Sequence, residues 1–316
     1  MSATAEARPT EADAAEIARE VSGTAPESIR RFPTGIGHWV YDVRLPDGAS
    51  IVVRLGTSDQ RDDFLGALHW SRTLRPLAVP LPRLLAHGEY RGCPYLVLER
   101  LEGEDLGRVY FSLTSAERKS IAEEVCRIQR IVGALPEGPG YGFLRLPTER
   151  GRDSWSDVIE ASLARSRSRI EAAVLVSVDP VDRVAMQAKQ FQSYFSRVRP
   201  TPFLDDVTTK NVLVHSGRLS GIVDVDWLCF GDSLFTVALT RTALLSSGAD
   251  PEYTDHWCKV LDLSQEQHRV VRFYTALFCV DFMSEFGQRF SQGEEPLDLE
   301  RLGRLEKVLN DHLCEA

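Results

Sequence analysis

Two carboxylates and an amide stand at the ends of a short β-pattern in the second half of the chain. Asp206 and Asn211 lie five residues apart in a loop that enters an apolar run, and Asp224 ends the run that returns. A Ser-Gly-Arg turn at 216–218 separates the two runs and predicts a hairpin, so the three side chains should converge at one edge. Their oxygen atoms are hard ligands, which suit Mg²⁺ rather than zinc.

Two further acids, Asp205 and Asp226, stand beside this group. Without a cation, so much negative charge raises local pKa values, and we expect metal to be needed for order there. The alternative interpretation of the three residues is a solvated turn whose side chains cap the backbone. Asp232 precedes a helical pattern from Leu234 and is interpreted as a helix N-cap.

The elements that must position these residues differ between the two parts of the chain. Before residue 100, short β-branched runs alternate with turn residues, and after it long helical patterns dominate. The first part predicts an antiparallel sheet of five strands and a helix inserted between the third and fourth. The predicted strands are 28–33, 39–44, 51–55, 82–87 and 95–100, and the predicted helices are 11–22 and 59–74.

The second part is predicted to be helical apart from the hairpin. Thr114 with Glu117 three residues later predicts a capping box at the start of a helix that runs to 132. Further helices are predicted over 153–175, 181–198 and most of 233–313. Residues 101–105 are polar with one glycine and predict a hinge. The fold class is therefore α+β, with function expected at the hairpin.

Residues 206–232 resemble the aminoglycoside phosphotransferase family, whose members are small-molecule kinases. The matching motifs are Asp206-Val-Thr-Thr-Lys-Asn211, Gly221-Ile-Val-Asp224 and Phe230-Gly231-Asp232. The Pro80-Leu-Pro82 step and the segment from Leu96 to Gly103 are similar to the family's N-terminal lobe and linker. The resemblance covers residues 25–290 and implies a bilobal protein-kinase-like fold. Residues 1–100 would form the nucleotide-binding lobe, and 101–316 the helical catalytic and substrate lobe.

This resemblance implies an ATP- and Mg²⁺-dependent transfer of phosphate to a hydroxyl of a small molecule. Aminoglycosides, other antibiotics and polar metabolites are the expected acceptors. Asp206 matches the catalytic aspartate, and Asn211 and Asp224 match the Mg²⁺ ligands. Charge in such a transfer spreads over the γ-phosphoryl oxygens, so metal and positioning supply most of the catalysis.

The resemblance also implies the nucleotide contacts. Gly35 and Gly37 match the loop that covers the phosphates, and Arg54 matches the basic residue that holds the α and β phosphates. The backbone from Glu99 to Leu101 would meet adenine. The alternatives are an ordinary turn for the two glycines and a surface salt bridge for Arg54.

Three departures from the family pattern bear on activity. Leu204 replaces a histidine two residues before Asp206, and Arg54 replaces lysine, although arginine also binds phosphate well. The acid expected on the helix after the third strand would fall near Ala67, and Asp63 is the nearest substitute. These departures motivate a second hypothesis, a catalytically weak nucleotide-binding module with a regulatory role.

Composition limits the partners of this 316-residue chain. Its net charge of −9 opposes binding to nucleic acid or an anionic membrane and would tolerate a cationic acceptor. Asp281 and Glu285 could line a cleft for such an acceptor, or Glu285 and Arg289 could form an exposed pair. No secretory signal or membrane-spanning run is evident, and six cysteines without zinc spacing suggest reduced thiols in a cytoplasmic protein.

Overall fold

The computed structural model describes residues 8–33, 37–291 and 293–313. The helices are α1 (Glu11–Ser22), α2 (Arg61–Leu74), α3 (Leu106–Val109), α4 (Ser115–Gly133), α5 (Trp155–Ala173), α6 (Asp179–Ala188), α7 (Gln192–Phe195), α8 (Leu234–Ser246), α9 (Glu252–Val260), α10 (Gln265–Met283) and α11 (Leu299–Leu313). The strands are β1 (Ser28–Arg31), β2 (Trp39–Arg44), β3 (Ser50–Leu55), β4 (Leu84–Tyr90), β5 (Cys93–Glu99), β6 (Glu104–Asp105), β7 (Gly142–Leu144), β8 (Pro202–Phe203), β9 (Val212–His215), β10 (Arg218–Ile222), β11 (Leu228–Phe230), β12 (Arg289–Phe290) and β13 (Gly293–Glu294).

The N-terminal part is the predicted antiparallel sheet, with the order β1-β2-β3-β5-β4. Alternation along β3 and β5 sends side chains to two covered faces. On one face, Val53 and Val97 pack with Ile17 of α1. On the other face, Leu96 packs with Phe64 and with Ala67 of α2. The sheet is therefore enclosed by one helix on each side.

The hairpin between β4 and β5 is tighter than predicted. Strand β4 begins two residues after the start of the predicted strand 82–87, and β5 begins two residues before the start of the predicted strand 95–100. Arg91 and Gly92 form the turn between them. Both turn residues have positive φ, 51° and 81°, the left-handed pair that suits the twist of a two-residue hairpin. The same turn chemistry recurs at Ser216 and Gly217, between β9 and β10.

The helical part is built around α10, which is buried on nearly all sides. Its apolar residues join α5, α6, α8 and α11 in one large core, and this core also contains Trp70 and Leu74 from the end of α2. The predicted capping box of α4 is confirmed, because the Thr114 and Glu117 side chains each accept from the other's backbone N–H, at 3.3 and 2.8 Å. The predicted helix 181–198 is instead α6, a 3₁₀ turn at Lys189–Phe191 and α7.

The hinge and hairpin meet directly. The last two residues of the predicted hinge form β6, which pairs with β9, so the hairpin becomes a three-stranded sheet with the order β10-β9-β6. Three other very short strands, β7, β11 and β8, form a second small sheet next to it. The loop between β8 and β9 is thereby held between two sheets.

The five cysteines within the described residues are buried and form no disulfide with one another, as the sequence predicts. Burial raises the pKa of Cys126 to about 12, so this thiol is inert at neutral pH. Cys314 lies outside the described residues. Among the helices that the structure describes, none is long and apolar enough to span a membrane.

Candidate active site

The loop between β8 and β9 places Asp206 beside Asn211. The Asn211 side-chain amide donates to the Asp206 carbonyl at 3.0 Å, and the Thr208 hydroxyl donates to the Asp206 carboxylate at 2.7 Å. Although the Asp206 side chain still reaches solvent, dehydration by the surrounding protein raises its pKa, and nearby Asp224 raises it further. The carboxylate is thus fixed in direction and more basic than an ordinary aspartate.

Asp224 reaches the same place from the return strand. The Val223 N–H donates to the Asn211 carbonyl at 2.9 Å, which joins the end of β10 to the start of β9. Asp224 itself has a left-handed φ of 64°, a conformation that costs free energy for a residue with a side chain. The hairpin therefore brings Asp206, Asn211 and Asp224 together at one edge, as their spacing predicts.

These donors suit a magnesium ion. The Asn211 Nδ2 donates within the loop, whereas its Oδ1 accepts no hydrogen bond from the described residues. The Asp224 side chain is exposed. An amide oxygen and a carboxylate oxygen are hard ligands of the kind that Mg²⁺ takes. The residues present therefore fit the metal that the sequence suggested.

Helix α4 holds the backbone in front of Asp206. The Gln129 side chain donates to the Leu204 carbonyl at 2.7 Å and accepts from the Leu204 N–H at 3.0 Å. Leu204 packs into the large core, which is consistent with a packing role at the position where the family carries histidine. The sequence analysis missed Gln129. The available signal was a polar residue on the buried stripe of α4, four residues after Val125.

Arg54 is buried, and both of its terminal guanidinium nitrogens bind acids from the other part of the chain. Its guanidinium donates to both carboxylate oxygens of Asp226, through Nη1 at 2.7 Å and through a shorter bond from Nη2. Nη2 also lies 3.2 Å from Asp224 Oδ1. The surface salt bridge considered for Arg54 is therefore wrong, because the residue is 5% exposed.

The acid expected from α2 does not pair with Arg54. Asp63 accepts from Arg145 at 2.6 Å instead, and Ala67 is apolar. His38 approaches Arg54, with Nδ1 2.7 Å from Nη2. Burial and the adjacent guanidinium lower the pKa of His38 to about 3, so the ring is neutral and accepts through Nδ1.

The remaining predicted nucleotide residues lie on the N-terminal part and hinge. Gly35 is outside the described residues, whereas the Gly37 carbonyl accepts from the Gln60 side chain at 2.9 Å. Glu99 ends β5, and its carboxylate accepts from the Arg83 side chain at 3.1 Å. The Leu101 carbonyl accepts from the Arg100 guanidinium. The roles of these residues remain predictions.

The acids that could face a cationic acceptor already have partners. Asp281 accepts from Arg165 at 2.9 Å, and Glu285 lies 3.4 Å from Arg301. Burial raises the pKa of Glu285. The exposed pair considered for Glu285 and Arg289 is wrong, since Glu285 is mostly buried and Arg289 belongs to β12.

The chain is similar to known proteins over most of its length. A model of the phosphotransferase enzyme family matches residues 28–274. Among solved structures, the aminoglycoside phosphotransferase APH(4)-Ia is 17% identical, with a TM-score of 0.68 over 96% of this chain and 99% of that chain. The GDP complex of wild-type aminoglycoside 2'-phosphotransferase-IIIa is 14% identical, with a TM-score of 0.67 over 94% of this chain and 96% of that one. No curated protein sequence matches the chain.

At these identities the likeness to solved structures concerns the fold. ADP-bound APH(2'')-Ib gives the same result, with 13% identity and a TM-score of 0.62 over 96% of this chain and 98% of that chain. The bilobal protein-kinase-like fold of the α+β class, expected from the sequence, is confirmed. Antiparallel strands gather in the first hundred residues and most helices follow them.

Proposed function

The chain belongs to the phosphotransferase enzyme family, and from that premise we propose that it is an ATP- and Mg²⁺-dependent kinase of small molecules. The reaction would transfer the γ-phosphoryl group to a hydroxyl of the acceptor. The observation that supports this proposal best is the convergence of Asp206, Asn211 and Asp224 at one hairpin edge. A solvated turn with capping side chains would account for the Asn211 hydrogen bond, but it would not need a left-handed Asp224 beside the buried Arg54.

Asp206 would act as the general base. Its carboxylate, oriented by Thr208, takes the proton of the acceptor hydroxyl while the hydroxyl oxygen bonds to the γ-phosphorus. The bond from the γ-phosphorus to the β–γ bridging oxygen breaks, and ADP leaves with that oxygen. The raised pKa of Asp206 favours proton acceptance. Asn211 and Asp224 would hold Mg²⁺, which when bound neutralises charge on the phosphate oxygens.

The nucleotide would lie between the two predicted lobes, 1–100 and 101–316. We assign the phosphate cover to Gly35 and Gly37, phosphate binding to Arg54, and adenine contact to the backbone of Glu99–Leu101. Solved structures of APH(4)-Ia contain ADP or AMP-PNP, and that of aminoglycoside 2'-phosphotransferase-IIIa contains GDP. Both ATP and GTP therefore belong in a first assay.

The acceptor is proposed to be a polar hydroxyl compound, and its charge is a question for experiment. Hygromycin B accompanies the nucleotide in solved structures of APH(4)-Ia, so aminoglycosides are reasonable candidates. In this chain, however, Asp281 and Glu285 are each paired with an arginine. Neutral sugars and polar metabolites should be screened on equal terms with cationic antibiotics, macrolides and choline-like amines.

An ATP-consumption screen over these acceptors tests the proposal. Replacement of a positioned general base costs roughly 100- to 10,000-fold in rate, so we expect Asp206→Asn to lose that much while still folding and binding MgATP. Asp205→Asn is the matched control, because Asp205 is bound to the Trp227 indole and should matter much less.

The second hypothesis, a catalytically weak regulatory module, gives a different result. Such a protein binds MgATP but turns over no acceptor and does not hydrolyse ATP, and Asp206→Asn then changes nothing. If this occurs, Leu204→His tests whether the missing histidine limits activity. Because Leu204 is held by Gln129 and packed in the core, we expect this reversion to raise the rate little.

A further inference from the structure

The buried ion pair between Arg54 and Asp226 joins residues 172 positions apart. Both side chains are about 5% exposed, and the contact is bidentate, the geometry that fixes a guanidinium most firmly. Arg54 is the next-to-last residue of β3, whereas Asp226 follows the metal-ligand candidate Asp224 by two residues. The two functional segments are thus joined by a hydrogen-bonded ion pair that contains no acid from α2.

Helix α2 packs closely on this connection, and its acid is hydrogen-bonded elsewhere. A Cβ atom at Gly66 would lie 2.1 Å from the Asp226 carbonyl oxygen, so only glycine allows the helix to approach this closely. Phe64, two residues earlier, places its ring over the guanidinium, with 5.3 Å from the guanidinium carbon to the ring centroid. The acid of α2, Asp63, is directed to Arg145. The helix supplies packing, and its Asp63 has a smaller electrostatic effect on Arg54 than Asp226, which is bound to the guanidinium directly.

Arg54 retains a donor that the protein does not use. Its Nε is buried and has no hydrogen-bond partner within the described structure. An unpaired buried donor costs free energy, and an anionic ligand would satisfy it. Phosphate oxygens are suitable acceptors for arginine, which binds them with several N–H groups at once.

We propose that Asp226 is the positioning residue for Arg54, and that it fixes the guanidinium for nucleotide phosphates in place of an acid on α2. This inference rests on the proposed function. In this proposal, the orientation of Arg54 in the sheet depends on the loop that carries Asp224, and α2 supports the ion pair by packing against it through Gly66 and Phe64.

A double-mutant cycle on nucleotide binding tests the inference without an acceptor. ATP affinity is measured by calorimetry, once with Mg²⁺ and once with chelator, for the parent, Asp226→Asn, Arg54→Met and the double variant. If Asp226 acts through Arg54, each single change weakens binding by at least about tenfold in both conditions. The double variant then binds no more weakly than Arg54→Met, because the second change removes nothing further.

Asp63→Asn is the matched control, since it removes the acid of α2 and leaves the buried pair intact. We expect its ATP affinity to stay within about twofold of the parent's. Asp226→Glu, which keeps the charge, should recover part of the affinity lost in Asp226→Asn. Removing one partner of a buried ion pair can also prevent folding, so melting curves are recorded for every variant. If Asp226→Asn does not fold, Arg54→Met with Asp226→Leu provides an apolar pair for comparison with Arg54→Met alone.

Each contrary outcome has its own signature. Weakening seen only with Mg²⁺ would make Asp226 a metal ligand, and weakening that persists in the Arg54→Met background would make it act independently of Arg54. A lower melting temperature with unchanged ATP affinity would make the pair purely structural. A parent protein that binds no nucleotide would overturn the proposed function itself, whereas normal binding that is insensitive to Asp226 would overturn this inference alone.

Discussion

Two adjacent carboxylates at the candidate site have different surroundings. Asp205 accepts from the Trp227 indole at 3.2 Å, and burial, with a smaller effect of Asp206, raises its pKa to about 7. Asp206 accepts from Thr208 and lies near the proposed metal ligands. Neighbours in sequence can therefore differ in role: Asp206 is the proposed general base, whereas Asp205 holds the loop against Trp227.

The raised pKa of Asp205 predicts a pH-dependent gain in stability from Asp205→Asn. In the folded protein this carboxyl keeps its proton up to about pH 7, whereas in the unfolded chain it loses the proton near its ordinary value of 3.8. Stability from the protonated form is complete below pH 3.8 and is lost as pH rises through 7. The amide still accepts from Trp227 and cannot ionise, so Asp205→Asn should be more stable than the parent at pH 8.

Denaturant unfolding at a series of pH values measures this difference. The gap between Asp205→Asn and the parent should shrink as the pH falls from 8 to 5. An equal gap at every pH, or a less stable variant at pH 8, would show that Asp205 is ionised in the folded protein at neutral pH.

Some residues of this site can be identified from their spacing in the sequence, and others cannot. Asp206, Asn211 and Asp224 lie on one hairpin, so local pattern was enough to bring them together. The Arg54–Asp226 pair spans 172 residues and the Gln129–Leu204 pair spans 75, and no periodicity relates such positions. Asp226 was recognised only as an extra acid beside the site, because its partner depends on how β3 faces the hairpin loop.

At the scale of elements, α4 positions the catalytic loop through one side chain. Gln129→Ala would leave the buried Leu204 N–H and carbonyl without partners, at a cost of about 1–3 kcal/mol for each group left unsatisfied. We expect a lower melting temperature and a lower kcat, since the backbone immediately before Asp206 is released. Melting curves and steady-state kinetics check both expectations.

Arg127→Ala is the matched control on the same helix. Arg127 is exposed and pairs with Glu124 one turn earlier, so its loss should change stability by less than about 1 kcal/mol and leave kcat unchanged. If Gln129→Ala and Arg127→Ala behaved alike, α4 would have no special part in holding the loop.

Two helical glycines give opposite predictions for the same substitution. Gly66→Ala in α2 would force a Cβ against the Asp226 carbonyl, so the helix or the loop must move, and such overpacking costs about 1–3 kcal/mol. Gly303→Ala in α11 meets no atom within 4 Å and should stabilise the protein by about 0.5–1 kcal/mol. Chemical denaturation of both variants provides the comparison.

The nucleotide affinity of Gly66→Ala extends this comparison to function. If α2 supports the Arg54–Asp226 pair as proposed, ATP should bind more weakly to this variant than to Gly303→Ala. A Gly66→Ala protein as stable as the parent would mean that α2 does not pack tightly on the loop.

Element predictions were most successful where the pattern was long. The five-stranded sheet, the capped α4 and the hairpin were found within a few residues of their bounds. The strands β6, β7 and β11 were missed because each has only two or three residues, too few to show alternation. They exist because tertiary neighbours supply their hydrogen bonds, as β9 does for β6.

At the scale of the whole molecule, the residues of the candidate site come from separately packed parts of the chain. One cluster lies between α1 and the sheet, a second between the sheet and α2, and the largest contains α10 and the end of α2. Arg54 comes from the sheet, whereas Asp206, Asn211 and Asp224 come from the hairpin in the helical part. A nucleotide that contacts all four would therefore join the two parts, and its binding should be visible in the stability of the entire chain.

MgATP should raise the melting temperature of the protein. A ligand at about 100 times its dissociation constant adds about 2.7 kcal/mol of stability by mass action, and each kcal/mol shifts a protein of this size by roughly 2–4 °C. Asp224→Ala should abolish the part of the shift that depends on Mg²⁺ and keep the part seen with ATP in chelator, because Arg54 and Asp226 remain in place. Arg118 binds Tyr110 and Asp250, away from this region, so Arg118→Lys should keep the full shift in melting temperature. A melting curve that millimolar MgATP leaves unchanged would contradict the kinase proposal, and an Mg²⁺-dependent shift that survives Asp224→Ala would remove Asp224 from the metal site.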